Sequence, residues 1–113
     1  MVYEIYKRGS YQVIAINEVL CLTSDLTELE DIVNDFLGKG LLNIAIRFTD
    51  GSYLHSATGS ILLHCWENIK DKKGNLALIN VNKDIRDFLA IIDFDSLIGI
   101  YDTDEELALF SND

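Results

Sequence analysis

The side chains best suited to chemistry meet where His55 precedes Ser56. Nucleophilic catalysis pairs such a histidine with a serine hydroxyl, because the imidazole can take the hydroxyl proton. Consecutive side chains diverge, however, and no Gly-x-Ser-x-Gly turn of the kind found in many hydrolases surrounds Ser56. The other histidine, His64, lies about two helical turns further on. We therefore predict no catalytic residue and a binding protein; the alternative, a small enzyme, needs convergent polar residues that we cannot assemble from the sequence.

Metal and cofactor sites are not expected either. The two cysteines and two histidines lack the spacing of a zinc site. Cys21 and Cys65 each stand among apolar residues, which predicts buried, unreactive thiols. An acidic cluster near the C-terminus lacks the glycine and the closing glutamate of an EF-hand loop, and we expect it to be solvated and to cap helices. Its members are Asp93, Asp95, Asp102, Asp104, Glu105 and Glu106.

The length and the net charge limit the classes of partner that the chain can bind. The 113 residues suit one domain, 1–113, and the 49% of hydrophobic residues can form a core without disulfides or metal. Nine basic residues against 19 acidic ones give a formal net charge of -10. Such a surface repels nucleic acid and anionic membranes, which leaves protein partners. The N-terminus does not resemble a signal peptide and no apolar run approaches the ~18 residues of a membrane helix, so we expect a cytoplasmic protein.

The elements that position Ser56 follow from the hydrophobic pattern. Strands are predicted at 3–7, 11–16, 41–48, 76–81 and 97–101, and helices at 26–37, 56–72, 85–92 and from 103 to 109 or 110. This order, ββαβαβαβα, indicates an α/β fold with a mixed sheet of about five strands covered by about four helices. Arg8-Gly9-Ser10 predicts a hairpin between the first two strands, and TDGSYLH (49–55) predicts a loop before Ser56.

Helix starts carry recognisable signals. Ser24 or Thr27 is predicted to cap the first helix, and Thr27-x-x-Glu30 fits a capping box, as Thr103-x-x-Glu106 does at the last helix. Helical spacing predicts that Leu29, Val33 and Phe36 are buried against the sheet. The ordinary role of Ser56 is an N-cap, which contributes about 1 kcal/mol.

The order of elements and several motifs resemble the STAS domain, the class of sulfate transporters and anti-sigma factor antagonists, from Tyr11 to about Leu109. In that family a strand leads into a hydrophobic-Asp-Ser-Ser/Thr-Gly turn that opens a helix, and here Leu54-His55-Ser56-Ala57-Thr58-Gly59 stands in that place. The stretches that follow are also similar to the family: Lys73-Gly74-Asn75, then LALINV (76–81), LIGIY (97–101) and TDEELAL (103–109). The resemblance implies the STAS fold.

This chain departs from the family motif at His55, which replaces the Asp, and at Thr58, which replaces the Gly; Gly59 comes one place late. Aligned without a gap, Ser56 takes the family's phosphoacceptor position; aligned on Gly59, Ala57 takes it. We prefer the ungapped alignment, because a slip of one residue rotates every helical side chain by about 100°. Upstream, Leu20 stands where the family often has an Asp, which bears on kinase recognition.

The resemblance implies a protein-binding regulator like an anti-sigma factor antagonist. Its partner would be an anti-sigma factor with serine kinase activity, or another signalling protein, and phosphorylation of Ser56 would control binding. The implied partner-binding residues are His55, Ser56, Ala57, Thr58 and Gly59. The alternative is a STAS interaction module without phosphorylation, in a transport-associated or other signalling assembly.

Overall fold

The polypeptide forms a five-stranded sheet whose strands follow one another in chain order. The computed structural model describes residues 1–21 and 23–110, so Leu22 and residues 111–113 of the predicted domain lie outside the described residues. Its elements are β1 (Tyr3–Arg8), β2 (Tyr11–Ile16), α1 (Thr27–Gly38), β3 (Asn43–Arg47), α2 (Ser56–Asp71), β4 (Asn75–Ile79), α3 (Lys83–Ile91), β5 (Gly99–Tyr101) and α4 (Asp104–Phe110). The predicted order ββαβαβαβα is confirmed.

The sheet begins with the predicted hairpin. β1 and β2 are antiparallel, with Arg8 paired to Tyr11 across a turn of two residues. Gly9 has a φ of 60°, the left-handed conformation that such a tight turn needs and that glycine adopts without strain. The strands β2 to β5 are all parallel, and α1, α2 and α3 make the crossovers between them. Because these crossovers share one hand, the three helices cover the same face of the sheet.

The main core lies between the sheet and these helices. Leu29 and Val33 of α1 are fully buried against it and Phe36 is nearly so, as the helical spacing predicts. The opposite face of the sheet carries a smaller apolar cluster that α4 covers. Its buried members are Tyr11, Val13, Ala45, Ala77, Ile79 and Leu107. The carboxyl ends of the parallel strands and the start of α2 therefore lie at one end of a sheet that is packed on both faces.

Two predictions about helix starts need correction. α1 begins at Thr27, but Leu26 occupies its N-cap position and no side chain caps it. The carboxylate of Asp25 instead accepts the backbone N–H of Thr27 at 2.8 Å, and Ser24 accepts the N–H of Cys21 at 2.9 Å. The capping box predicted at Thr27 is therefore absent. The one at α4 is present in altered form, because Thr103 accepts the N–H of Glu106 while Glu106 accepts that of Asp102.

Candidate functional site

The loop before α2 is fixed from two sides. Ser52 is fully buried; its hydroxyl accepts the N–H of Leu20 at 2.9 Å, and its carbonyl accepts the side-chain N–H of Asn82 at 2.7 Å. The N–H of Tyr53 donates to the carbonyl of Leu20 at 3.0 Å. Asn82 is also the N-cap of α3, where its side chain accepts the N–H of Ile85. The loop after β2 and the start of α3 thus hold the start of α2 in place.

His55, and not Ser56, caps α2, which corrects the predicted cap. The Nδ1 atom of His55 accepts the N–H of Ala57 at 3.3 Å, and the hydroxyl of Thr58 accepts the N–H of His55 at 2.9 Å. Histidine can do this because a neutral imidazole has one nitrogen that accepts. The Nε2 atom of His55 is buried and has no hydrogen-bond partner among the described residues. Nδ1 is therefore occupied by the N–H of Ala57 and Nε2 is buried inside the protein, so neither imidazole nitrogen can act as a base on Ser56.

Ser56 is the first residue of α2 and its side chain is exposed. The unpaired N–H groups of a helix start favour negative charge, and α2 has no acidic residue in its first turn that would oppose it. Ala57 is also exposed, whereas Thr58 is only 1% exposed and its hydroxyl donates to the carbonyl of His55 at 3.0 Å. Of the two hydroxyls in the motif, only that of Ser56 is accessible.

A shallow groove of about 360 Å³ runs beside Ser56 between α2 and α3. It is lined by Ser56, Gly59, Ser60, Leu63, Phe88, Ile91 and Ile92, and we call it the α2–α3 groove. Ile91 is 81% exposed, a large apolar surface for a residue on a helix. The sequence interpretation predicted a helix at 85–92 but did not single out Ile91. The available signal was that this isoleucine lies off the apolar stripe of that helix, which consists of Ile85, Phe88, Leu89 and Ile92.

Gly59 forms the floor of the α2–α3 groove. A Cβ atom there would lie 2.5 Å from Cζ of Phe88, far inside van der Waals contact. The absence of a side chain therefore lets the ring of Phe88 rest on α2. The sequence-predicted residues His55 to Gly59 thus fall into two groups: His55, Thr58 and Gly59 build the helix start and its contact with α3, whereas Ser56 and Ala57 face outward.

The remaining candidate residues do not join this site. His64 is exposed on α2. Cys65 is fully buried, and burial raises the pKa of its thiol to about 12, as expected for an unreactive cysteine. Cys21 was predicted to be buried but is partly exposed, and hydrogen bonds with Thr23 and then Ser24 lower the pKa of its thiol. Within residues 1–21 and 23–110, no group of three or more metal-ligating side chains comes together.

The prediction of a solvated acidic cluster is wrong for Asp104. This residue is 6% exposed, and its Oδ2 atom accepts the Tyr6 hydroxyl at 2.6 Å and Nη2 of Arg8 at 3.3 Å. Nη1 of Arg47 lies 3.8 Å from the same oxygen. Burial, followed by this hydrogen bond, raises the pKa of Tyr6. Asp104 therefore fastens the start of α4 to β1 and β3, on the face of the sheet opposite Ser56.

Comparisons with known proteins extend these observations. A family model described as the STAS domain matches residues 3–107. A crystal structure of an anti-sigma factor antagonist from Mycobacterium paratuberculosis is similar in fold, with a TM-score of 0.75, 14% identity, and coverage of 98% of this chain and 94% of that one. A STAS domain protein from Planctomyces limnophilus has a TM-score of 0.69 and 22% identity, with 95% of each chain covered.

A third solved structure, from Thermotoga maritima and described as a candidate anti-sigma factor antagonist, has a TM-score of 0.77 and 22% identity over 93% of this chain and 88% of that one. Comparison with curated protein sequences finds no match. In the part of the chain that the structure describes, no helix is both long and apolar enough to cross a membrane.

Proposed function

Because the chain belongs to the STAS family, we propose that it is a regulatory protein that binds an anti-sigma factor with serine kinase activity, or a similar signalling protein. The surface for this partner consists of the exposed start of α2 and the α2–α3 groove. The protein would act in the bacterial cytoplasm, where kinases find ATP, and would control transcription through its partner. The single observation that carries the proposal is the exposed hydroxyl of Ser56 at the rim of an apolar groove.

Phosphorylation of Ser56 would control this interaction. A partner that covers Ile91 and Leu63 removes water from the groove, and an interface of that kind does not accept an unpaired charge. Phosphate adds roughly -1.5 to -2 charges at Ser56. The start of α2 would stabilise the phosphate in the free protein. The modified protein would thus stay folded while its affinity for the partner falls.

Enzymatic activity is not part of the proposal. Nδ1 of His55 is used for capping and Nε2 is buried, so the histidine next to the serine is not positioned as a base. His64 lies about two helical turns, or 12 Å, along α2 from Ser56. If Ser56→Ala abolished turnover of an ester or phosphoester, the binding interpretation would be wrong.

The second candidate function is a STAS interaction module without phosphorylation, in a transport-associated or other signalling assembly. One observation favours it: His55 stands in place of the family's Asp and is committed to capping α2. A kinase that recognises the Asp would find an imidazole instead. The partner-binding surface would be the same in both cases.

The deciding experiment is incubation with the anti-sigma kinases of the source organism and ATP, followed by intact mass and peptide mapping. We expect one phosphate, on Ser56, and none on buried Thr58. Ser56→Ala removes it, whereas Ser60→Ala, a change at an exposed serine of the same groove, leaves it. His55→Asp should increase the rate.

Binding measurements with the same partners complete the test. Ser56→Asp should weaken binding, though less than phosphate does, because it carries a single charge. Absence of phosphate, together with unchanged binding of Ser56→Asp, would retire the antagonist hypothesis and leave the unregulated module.

A further inference from the structure

β1 is an edge strand with an open side. In the described residues it pairs with β2 alone. The N–H of Asn17 donates to the carbonyl of Val2 at 2.8 Å, which shows that the even-numbered residues of this segment turn their backbone groups towards β2. The direction of the backbone N–H and C=O groups alternates along a strand. These groups therefore point outward, away from β2, at Tyr3, Ile5 and Lys7. An edge of this kind is a template for another strand.

A hollow of about 480 Å³ with both charged and apolar lining residues lies beside this edge, under α1. Tyr3 and Ile5 of β1 and Ile32 and Phe36 of α1 provide its apolar lining. Ile5 is 45% exposed, although it is a large apolar residue in the middle of a strand. Natural edge strands are usually protected by charged residues, prolines or bulges. β1 has no proline, and of its three outward-turned residues only Lys7 is charged.

The charged residues along this edge differ between the start and the end of β1. β1 and α1 run the same way, because α1 returns from the end of β2, which is antiparallel to β1. At their start, the Met1 amino group lies 3.5 Å from Oε1 of Glu28, and Asp31 follows one turn later. At their end stand Lys7 on β1 and Lys39 on α1, and Nζ of Lys39 lies 3.0 Å from Oδ2 of Asp35. With these two ion pairs balanced, Asp31 leaves the start of the edge acidic and Lys7 leaves its end basic.

We propose that a second copy of the chain occupies this edge, with β1 of the two subunits paired antiparallel about a twofold axis perpendicular to the sheet. With this axis, the same face of both sheets lies on the same side of the dimer. The two β1 strands can then pair only in registers that place the odd-numbered residues, whose backbone groups point away from β2, opposite one another. In the central register Ile5 faces Ile5 of the partner subunit, and Tyr3 faces Lys7 of the partner subunit. Each of these pairs can exchange two backbone hydrogen bonds.

The charge order selects a copy of the same chain as the occupant. Antiparallel pairing brings the acidic start of one edge against the basic end of the other, so that Asp31 meets Lys7 of the partner subunit. The hollows under the two copies of α1 meet across the axis, where the exposed parts of Ile5 and Ile32 are covered. Because the axis closes the pair, no open β1 edge remains and the assembly stops at a dimer.

Sedimentation velocity in near-physiological salt tests the proposal. We expect a monomer–dimer equilibrium, with the dimer dominant at protein concentrations of about 1 mM if the dissociation constant is micromolar. Ile5→Pro removes one outward N–H and none of the hydrogen bonds to β2, and proline is tolerated at such edge positions. It should weaken the dimer about tenfold or more while the circular dichroism spectrum is retained. A protein that remains monomeric at this concentration would overturn the proposal.

Charge exchange provides the sharper test. Asp31→Lys and Lys7→Glu should each weaken the dimer roughly tenfold, since every contact occurs twice. The double variant restores opposite charges across the interface and should regain most of the affinity. Glu67→Lys, at an exposed position of α2, is the matched control and should leave the dimer unchanged. A dimer indifferent to these changes and to Ile5→Pro would use another surface and refute the proposal.

Discussion

The contact between Gly59 and Phe88 allows a prediction about one added methyl group. In Gly59→Ala the new Cβ would lie 2.5 Å from Cζ and 2.6 Å from Cε2 of the ring, so the ring must turn or α3 must move. Overpacking of this kind costs about 1–3 kcal/mol. Alanine offsets part of this cost, because it is a better helix former than glycine by about 1 kcal/mol. We expect the free energy of unfolding to fall by about 1 kcal/mol.

Two variants separate these contributions. A Cβ atom at Gly38, near the end of α1, meets nothing within 4 Å, so Gly38→Ala keeps the helix-propensity gain alone and should stabilise by about 0.5 kcal/mol. Phe88→Leu removes the ring atoms that the new methyl group would strike. In that background Gly59→Ala should become stabilising, which gives a coupling free energy of roughly 1–2 kcal/mol between the two positions.

Urea unfolding followed by circular dichroism measures all five proteins, counting the wild type and the double variant. If Gly59→Ala stabilises the wild type as Gly38→Ala does, then Phe88 does not rest on Gly59. If its cost persists in the Phe88→Leu background, the strain lies elsewhere. Either result would refute the packing explanation for the position of this glycine.

Two further predictions concern titration and reactivity. Burial and then the hydrogen bond to Asp104 raise the pKa of Tyr6 above its ordinary value of 10.0. The protonated Tyr6 side chain therefore contributes its full share of the free energy of unfolding below pH 10.0. That contribution is lost as the pH rises through the higher pKa of the folded state. Unfolding measured from about pH 9 to 11 should show this loss, and Tyr6→Phe should lack it. Because hydrogen bonds lower the pKa of Cys21 whereas burial raises that of Cys65 to about 12, a thiol reagent at about pH 8 should modify native Cys21 and reach Cys65 only after unfolding. Equal rates for the two thiols would contradict their placement.

The fold was predictable because its determinants are local. The apolar residues of α1 recur at helical spacing, and Leu29, Val33 and Phe36 are indeed buried. The strand β2 matches its predicted limits of Tyr11–Ile16. The limits of other strands differ from the predicted ones by one or two residues. β3 is Asn43–Arg47, where 41–48 was predicted, and β5 is Gly99–Tyr101, where 97–101 was predicted. Strand ends depend on which neighbouring strand is there to pair, and that is not a local property.

The candidate site was predictable only in part. Helical periodicity located the start of α2 at Ser56, yet both His55 and Ser56 can accept a backbone N–H, and sequence chemistry favoured serine. The ordered loop before them places His55, and not Ser56, at the N-cap position. Asp104 was misread for a related reason: its partners Tyr6 and Arg8 are distant in sequence and reach it only once β1 has joined the sheet. An acidic residue near other acidic residues looks solvated until those partners are known.

The two proposed surfaces are compatible because they lie in different parts of the fold. Strand order places β1 at one edge of the sheet, whereas α3 crosses between β4 and β5 towards the other edge. A dimer through β1 would therefore leave both α2–α3 grooves open. Two copies of Ser56 would then be presented by one rigid body, and a dimeric partner that reaches both would gain affinity through effective concentration. In that arrangement a phosphate on one subunit removes one contact and also the gain that effective concentration gave the other, so regulation at Ser56 would be steeper in the dimer than in a variant held monomeric by Ile5→Pro.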